Sequence, residues 1–339
     1  MGKNVFDWMQ EKTKTVWYVD TADINEVEHA IGNHVKGVTT NPLLIARALK
    51  SNPSKREALL STCPANATPD EKAEYIVSKT VGEIASLMYP IYEATKRVHG
   101  YVCAQVDPSL ANDQQRMVAM AKRFATLAPN ILVKLPATSA GIDALEECTA
   151  AGINTTGTVS FSFSQMREIA EHYMRGVQRL VDPSTPPKCV VVLMVGRLED
   201  FIVGSLRDRG VMVPPEIGYA IEAIGKRAYS YFLEHDYPVK ICYSGLRTVE
   251  HCLPFFGWDA ILSISPKTTQ TLLESNVRWQ SNITTPVDEK VVESLRKFAP
   301  FVQMYEPLGL SSDEFYTFGE TQHTLTQFVE SGWNALKEI

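Results

Sequence analysis

Residues 131–160 read ILVKLPATSAGIDALEECTAAGINTTGTVS, and their reading decides the fold. Residues 131–135 form a short apolar run interrupted by a single lysine, Lys134, the pattern of a buried strand. A helical run begins near Ser139 and stops at Gly152, where a C-terminal glycine cap belongs. A second strand candidate, 153–160, follows at once. Strand, helix and strand in this order make a parallel pair joined by a crossover helix, because parallel strands cannot be joined by a tight turn.

The same alternation extends in both directions. Further strand candidates lie at 16–20, 37–40, 101–106, 189–195, 239–245 and 260–265, which makes eight in all. Between them run amphipathic segments such as Met166, Ile169, Ala170, Tyr173, Met174, Val177 and Leu180, spaced as one buried helical stripe. Eight such units predict an α/β fold, a (β/α)8 TIM barrel. A doubly wound open sheet is the competitor, but no GxGxxG or Walker motif follows the first strand. Three segments exceed a minimal barrel: the helical region 69–100, the stretch 198–236 with more than one helix, and the residues after Ser275. The last ends in an expected helix over 312–339 containing Trp333. We expect one domain over 1–339, with a barrel core of about 16–275 and a C-terminal helical extension, 276–339, that lies over the barrel or at a subunit contact.

Composition narrows the function. Hydrophobic residues make up 45% and charged residues 21%, with a formal net charge of −6, a balance that argues against nucleic acid as a partner. A local pair of arginines still suits an anionic small molecule. No 18-residue apolar span occurs and the first fifteen residues lack a signal-peptide core, so the expectation is a cytoplasmic protein with no membrane association. The six cysteines form no CxxC pair and the seven histidines no HExxH motif, so no metal is expected.

Polar residues mark the carboxyl ends of the strands, where parallel barrels carry their active sites. Lys134 stands out, since a lysine within an apolar strand loses hydration, which disfavours the ammonium form, and a neutral amine attacks ketones. In isolation it reads first as a strand-end lysine paired with a carboxylate. Asp20 ends the first strand and suits proton transfer from an alcohol, although alone it reads as a helix N-cap. Thr39 and Asn41 end the second strand, where Asn41-Pro42 is also a helix start. Gln105 ends the third strand, and Thr156 and Thr158 share one face of the fifth. Arg197 and Arg247 close the sixth and seventh, where guanidinium forks suit a phosphate. Tyr243, four residues before Arg247, counts onto the inward face if the strand is regular.

The segments VDTADI (19–24), GVTTNP (37–42), AQVD (104–107), ILVKLPAT (131–138), GINTTGT (152–158) and VGR (195–197), with the Arg247 strand end, resemble transaldolases and fructose-6-phosphate aldolases. The matches keep their order and strand positions from about residue 16 to 250. The resemblance implies that Lys134 is a Schiff-base lysine, that Asp20 is the acid/base for the alcohol proton, and that Thr158 positions a catalytic water. It implies that Asn41 holds substrate hydroxyls and that Arg197 and Arg247 hold a phosphate, with Thr39 and Thr156 also facing substrate. It further implies no cofactor, substrates among ketose and aldose phosphates or related carbonyl compounds, and self-association into a homo-oligomer.

The sequence departs from that family at several positions. Gln105 stands where transaldolases carry glutamate and resembles the fructose-6-phosphate aldolase branch there, and a glutamine cannot accept a proton at neutral pH. Thr156 replaces an asparagine, Val192 and Gly245 replace serines, Met194 replaces an aromatic residue, and Leu43 replaces the serine after Asn-Pro. Two enzyme readings follow: sugar-phosphate transfer with an altered pocket, or a Schiff-base core acting on a less polar carbonyl. Two others are a non-catalytic sugar-phosphate- or protein-binding barrel and a phosphate-binding isomerase without covalent catalysis.

Overall fold

The computed structural model describes residues 4–257, 259–282 and 285–339. Eight parallel strands close into a barrel in sequence order: β1 Val16–Asp20, β2 Gly37–Thr39, β3 Tyr101–Gln105, β4 Ile131–Pro136, β5 Thr155–Thr158, β6 Cys189–Met194, β7 Lys240–Leu246 and β8 Ile261–Ile264. The ladder closes where Trp17 pairs with Leu262 and Val19 with Ile264. Every expected strand is present, with ends shifted by a few residues.

The 131–160 unit forms as its sequence directs. Thr138 caps the helix Ser139–Ala150 by accepting from the Gly141 amide. At its other end Gly152 takes φ +77°, a left-handed conformation that favours glycine. There the Ile153 amide reaches Cys148 O at 3.0 Å and the Gly152 amide reaches Thr149 O at 2.9 Å, the paired bonds of a Schellman cap. The helix Phe163–Gln178 buries Met166, Ile169, Ala170, Tyr173 and Val177, with Met174 and Leu180 at its edge.

The additional segments are helical as expected, with one correction. Region 69–100 is the helix Pro69–Ala94, and 198–236 spans Val195–Asp208 and Gly218–Glu234. The last helix begins at Gly319 rather than at Ser312. Phe318 is extended there (φ −58°, ψ 131°), which sends its ring toward Phe201 and Phe161, with centroids 4.8 and 6.3 Å away. From Gly319 the helix runs to Glu338 through a π turn at Val329–Trp333. That turn sets Gly332 against the backbone of the helix Pro42–Ser51, and a Cβ on Gly332 would come within 2.8 Å of the Leu43 amide. Trp333 is fully buried and its indole N–H donates to Asp70 at 3.3 Å. The C-terminal segment is thereby pinned over the carboxyl ends of the strands. Trp333→Ala is expected to cost about 3–5 kcal/mol of stability, read as a lower denaturant midpoint; an unchanged midpoint would show that the terminal helix contributes little. Among the described residues no helix is long and apolar enough to cross a membrane.

Candidate active site

A cavity of about 250 Å³ opens at the carboxyl end of the barrel. Asp20, Thr39, Asn41, Lys134, Thr156, Thr158, Arg197 and Arg247 all line it, so, Tyr243 apart, eight of the nine residues singled out by sequence converge on one space. Gln105, the ninth, does not reach the lining. It is buried beside Lys134, its register partner on the neighbouring strand. Its side-chain oxygen Oε1 has no hydrogen-bond partner among the described residues, an unsatisfied acceptor suited to a water or an amine.

Strand register sets the arrangement. Lys134 lies opposite both Gln105 and Thr156, and Pro136 lies opposite Thr158. The Lys134 ammonium donates to the carbonyl of Thr40 at 3.2 Å. Asp20 is not the N-cap of the following helix, since Asp23 accepts from the amides of Asn25 and Glu26 instead. Asp20 therefore faces inward, where its Oδ1 accepts a 2.7 Å bond from the Thr39 hydroxyl. Thr39 also meets the Ser263 hydroxyl at 2.6 Å. A threonine hydroxyl has one proton to give, so Ser263 donates to Thr39 and Thr39 to Asp20. Asp20 is half-buried and lines the cavity. Burial raises its pKa, with the Lys134 charge and the Thr39 bond opposing that rise.

Asn41 does both things its sequence allowed. Its Oδ1 caps the Pro42–Ser51 helix at the Leu44 amide (2.9 Å), and the residue still lines the cavity. Thr158 is followed by Val159, which adopts φ +56° although it is β-branched and fully buried. That conformation is strained for any residue except glycine. Gln165 holds it, its amide donating to Ala137 O at 3.0 Å and to Val159 O at 3.3 Å. The strain sits directly beside a candidate catalytic residue.

Arg197 and Arg247 approach the cavity mouth from different elements. Gly196 makes room for Arg247, because a Cβ there would lie 2.8 Å from Arg247 Nε. The helix Val195–Asp208 starts at this point without a side-chain cap, its N-cap Met194 lining the cavity, and a helix N-terminus favours an anion. Arg247 pairs with Asp200 at 2.5 Å. Arg197 is tied to the terminal helix: it donates to Gln327, lies 5.3 Å over the Phe328 ring and sits 3.9 Å from Glu320. Burial is the main influence lowering its pKa, and the charges of Arg247 and Arg47 act in the same direction.

A profile of the family described as Transaldolase/Fructose-6-phosphate aldolase matches residues 17–316. The chain belongs to this family. It is 36% identical over 157 residues to Transaldolase 1 of Streptomyces avermitilis, covering 46% of this chain and 42% of that protein. It is 31% identical over 206 residues to the Transaldolase of Thiobacillus denitrificans, covering 59% and 57%. The Transaldolase of Kocuria rhizophila is 36% identical over 151 residues, covering 44% and 41%. The chain thus spans about half the length of the curated relatives it matches.

Against the transaldolase-family pattern, two expectations about β7 need correction. Tyr243 is not in the pocket. It faces outward, stacked on Phe255 with ring centroids 3.7 Å apart, and its hydroxyl donates to Gly225 O at 3.1 Å. Counting back from Arg247 fails because β7 breaks register between Tyr243 and Leu246, with Gly245 at φ +66°. The inward residues are Cys242 and Ser244, so a serine does stand on this wall, one position before the glycine. Tyr243→Phe is expected to leave turnover unchanged and to cost about 1 kcal/mol of stability through the lost hydrogen bond. A tenfold fall in turnover would return the hydroxyl to the chemistry.

Sequence reading also missed residues of the transaldolase-family cavity. Ser263 lines it from β8 and Ser265 from the helix cap just beyond, and Tyr18 from β1 two residues before Asp20; the alternation of inward positions was the available signal. Arg47 lines it from the helix Pro42–Ser51 together with Leu43 and Leu44, at helical rather than strand spacing. Phe328 arrives from the distant terminal helix, and nothing local in the sequence marked it.

Proposed function

We propose that the chain makes and breaks carbon–carbon bonds through an imine on Lys134, transferring a dihydroxyacetone unit between sugar phosphates. The observation that carries this reading is Lys134 sharing one cavity with Asp20, Thr158 and a mouth of arginines. Imine formation joins the lysine nitrogen to the ketone carbon and releases water. Asp20 then takes the proton of the hydroxyl on the far carbon of the bond to be cleaved. That bond breaks, its electrons pass into the iminium to give an enamine, and an aldehyde departs. The enamine attacks a second aldehyde, Asp20 returns the proton, and water hydrolyses the imine. Thr158 orients that water in this reading. Gln105, behind the lining, cannot take the proton of that water as a glutamate could.

At the mouth, Arg47 is exposed and has no hydrogen-bond or ion-pair partner among the described residues, while Arg247 and Arg197 are both engaged. Arg47 is therefore the guanidinium most available to a substrate phosphate. Arg47→Ala is expected to raise KM about tenfold, the scale of one charge-assisted contact of roughly 1.5 kcal/mol, with kcat little changed. Unchanged KM for a phosphorylated substrate would remove Arg47 from this role.

The test is turnover of fructose 6-phosphate with erythrose 4-phosphate, compared with Lys134→Ala. Activity above that variant supports sugar-phosphate transfer. A second reading, a less polar carbonyl substrate, is favoured by the wall formed by Val190, Val192, Met194, Cys103 and Cys242. It predicts no turnover of the sugar phosphates together with a Lys134 adduct to an unphosphorylated ketone.

A further inference from the structure

A second cavity, of about 550 Å³, opens at the opposite end of the barrel. Its basic lining comes from residues at or just before strand starts: the cations Lys14 before β1, Lys36 before β2, Lys188 before β6 and Lys240 opening β7, with the imidazole of His99 before β3. Lys240 is neutralised by Asp259, the one carboxylate in the lining. Lys14, Lys36 and Lys188 have no carboxylate partner among the described residues, and the Lys188 ammonium rests 5.3 Å from the Tyr101 ring centroid. In a chain of net charge −6, three unneutralised cations gathered at one opening are an unusual concentration.

Like charges held together and partly dehydrated oppose one another. Burial lowers the pKa of Lys36 and of Lys188, where the Lys240 charge adds to the effect. His99 is pushed down to about 4, first by burial and then by Lys36, Lys188 and Lys240. The arrangement leaves an electrostatic cost that a bound anion would relieve. Behind the lysines the floor is apolar, formed by Val16, Leu132, Val190 and Ile261. Tyr18 and Val190 line both this cavity and the candidate active site, so one layer of side chains separates the two. Gly37 lets the Tyr18 ring lie there, since a Cβ at that position would meet the ring at 2.4 Å.

We propose that the amino-terminal mouth of the barrel is a second ligand site for a small organic phosphate. Its phosphate is held by Lys36, Lys188 and Lys14, and its apolar body rests on Val16, Leu132, Val190 and Ile261. Charge selects the head group, and the dry floor distinguishes an organic phosphate from inorganic phosphate.

The test is calorimetric titration of the full chain with phenyl phosphate, inorganic phosphate and phenol. Three variants are compared with the unaltered protein: Lys36→Gln/Lys188→Gln, Val98→Trp at the exposed rim, and Arg47→Ala/Arg247→Ala at the other mouth. Phenyl phosphate is expected to bind more tightly than either fragment. Its affinity should fall at least tenfold in the lysine pair and in Val98→Trp, and persist in the arginine pair. Val98→Trp keeps every charge, so it separates loss of the cavity from a general change in electrostatics. Binding lost only in the arginine pair, or no saturable binding in the unaltered protein, would overturn the proposal. Because the readout is binding at the end remote from Lys134, the result stands apart from the catalytic reading.

Discussion

Replacing Lys134 with arginine is expected to lower turnover by roughly 10⁴-fold or more, the scale seen when a covalent nucleophile is removed. Arginine keeps a positive charge within the same buried strand and so preserves much of the electrostatic setting of Asp20. It cannot form the imine, because its delocalised guanidinium is not deprotonated in proteins. The substitution therefore isolates covalent chemistry from charge. Lys134→Ala should show a similar loss but also leaves the Asp20 carboxylate without its neighbouring cation, so the two variants should differ more in stability than in rate. If Lys134→Arg kept a tenth of the activity, the amine would not be the nucleophile and the lysine would act only as a charge.

Asp20→Asn is expected to slow turnover by about 10²–10⁴-fold, the contribution typical of a positioned general acid–base. Asparagine still accepts the Thr39 hydroxyl, so the Ser263–Thr39 chain should survive and the loss reflects the proton alone. The same residue links activity to pH. Cleavage needs the ionised carboxylate, and burial raises its pKa, so the unaltered enzyme should lose cleavage activity on the acid side as Asp20 becomes protonated. Stability carries the opposite sign. A pKa raised by folding favours the native state below the unfolded value, and that advantage disappears as pH rises through the folded one. At neutral pH the ionised Asp20 therefore weakens the fold. Asp20→Asn should gain roughly 0.5–2 kcal/mol at pH 7, a trade of stability for activity. The gain should shrink in acid, where the carboxyl is already neutral. A variant less stable than the unaltered protein at pH 7 would show that the bonds from Thr39 and the Lys134 charge outweigh burial.

The barrel was legible because each β/α unit carries its own signals. Residues 131–160 contain a buried strand, a capped helix, a left-handed glycine and the next strand, all set by local chemistry. The strand-end residues were legible for the same reason, since parallel strands bring their carboxyl ends together whatever the intervening helices do. Failure came where local counting stopped being valid. The bulge at Gly245 shifted the parity of β7, which turned Tyr243 outward and brought Ser244 inward. Arg47 was missed because its place depends on where the Asn41-capped helix points. Phe328 and Gln327 were out of reach because their position follows from a long-range packing event, Trp333 and Gly332 docking against the helix after β2. Gln105 fell between these cases: its strand position was read correctly, yet its side chain stays behind the lining with an unsatisfied oxygen.

The most direct test of the central claim is borohydride reduction of the protein in the presence of dihydroxyacetone or fructose 6-phosphate, read by intact and peptide mass spectrometry. An iminium reduced in place leaves a stable secondary amine on the nucleophile. The account predicts one adduct, on the peptide carrying Lys134, absent from Lys134→Arg. An adduct on another lysine, or none with either ketone in folded protein, would contradict it.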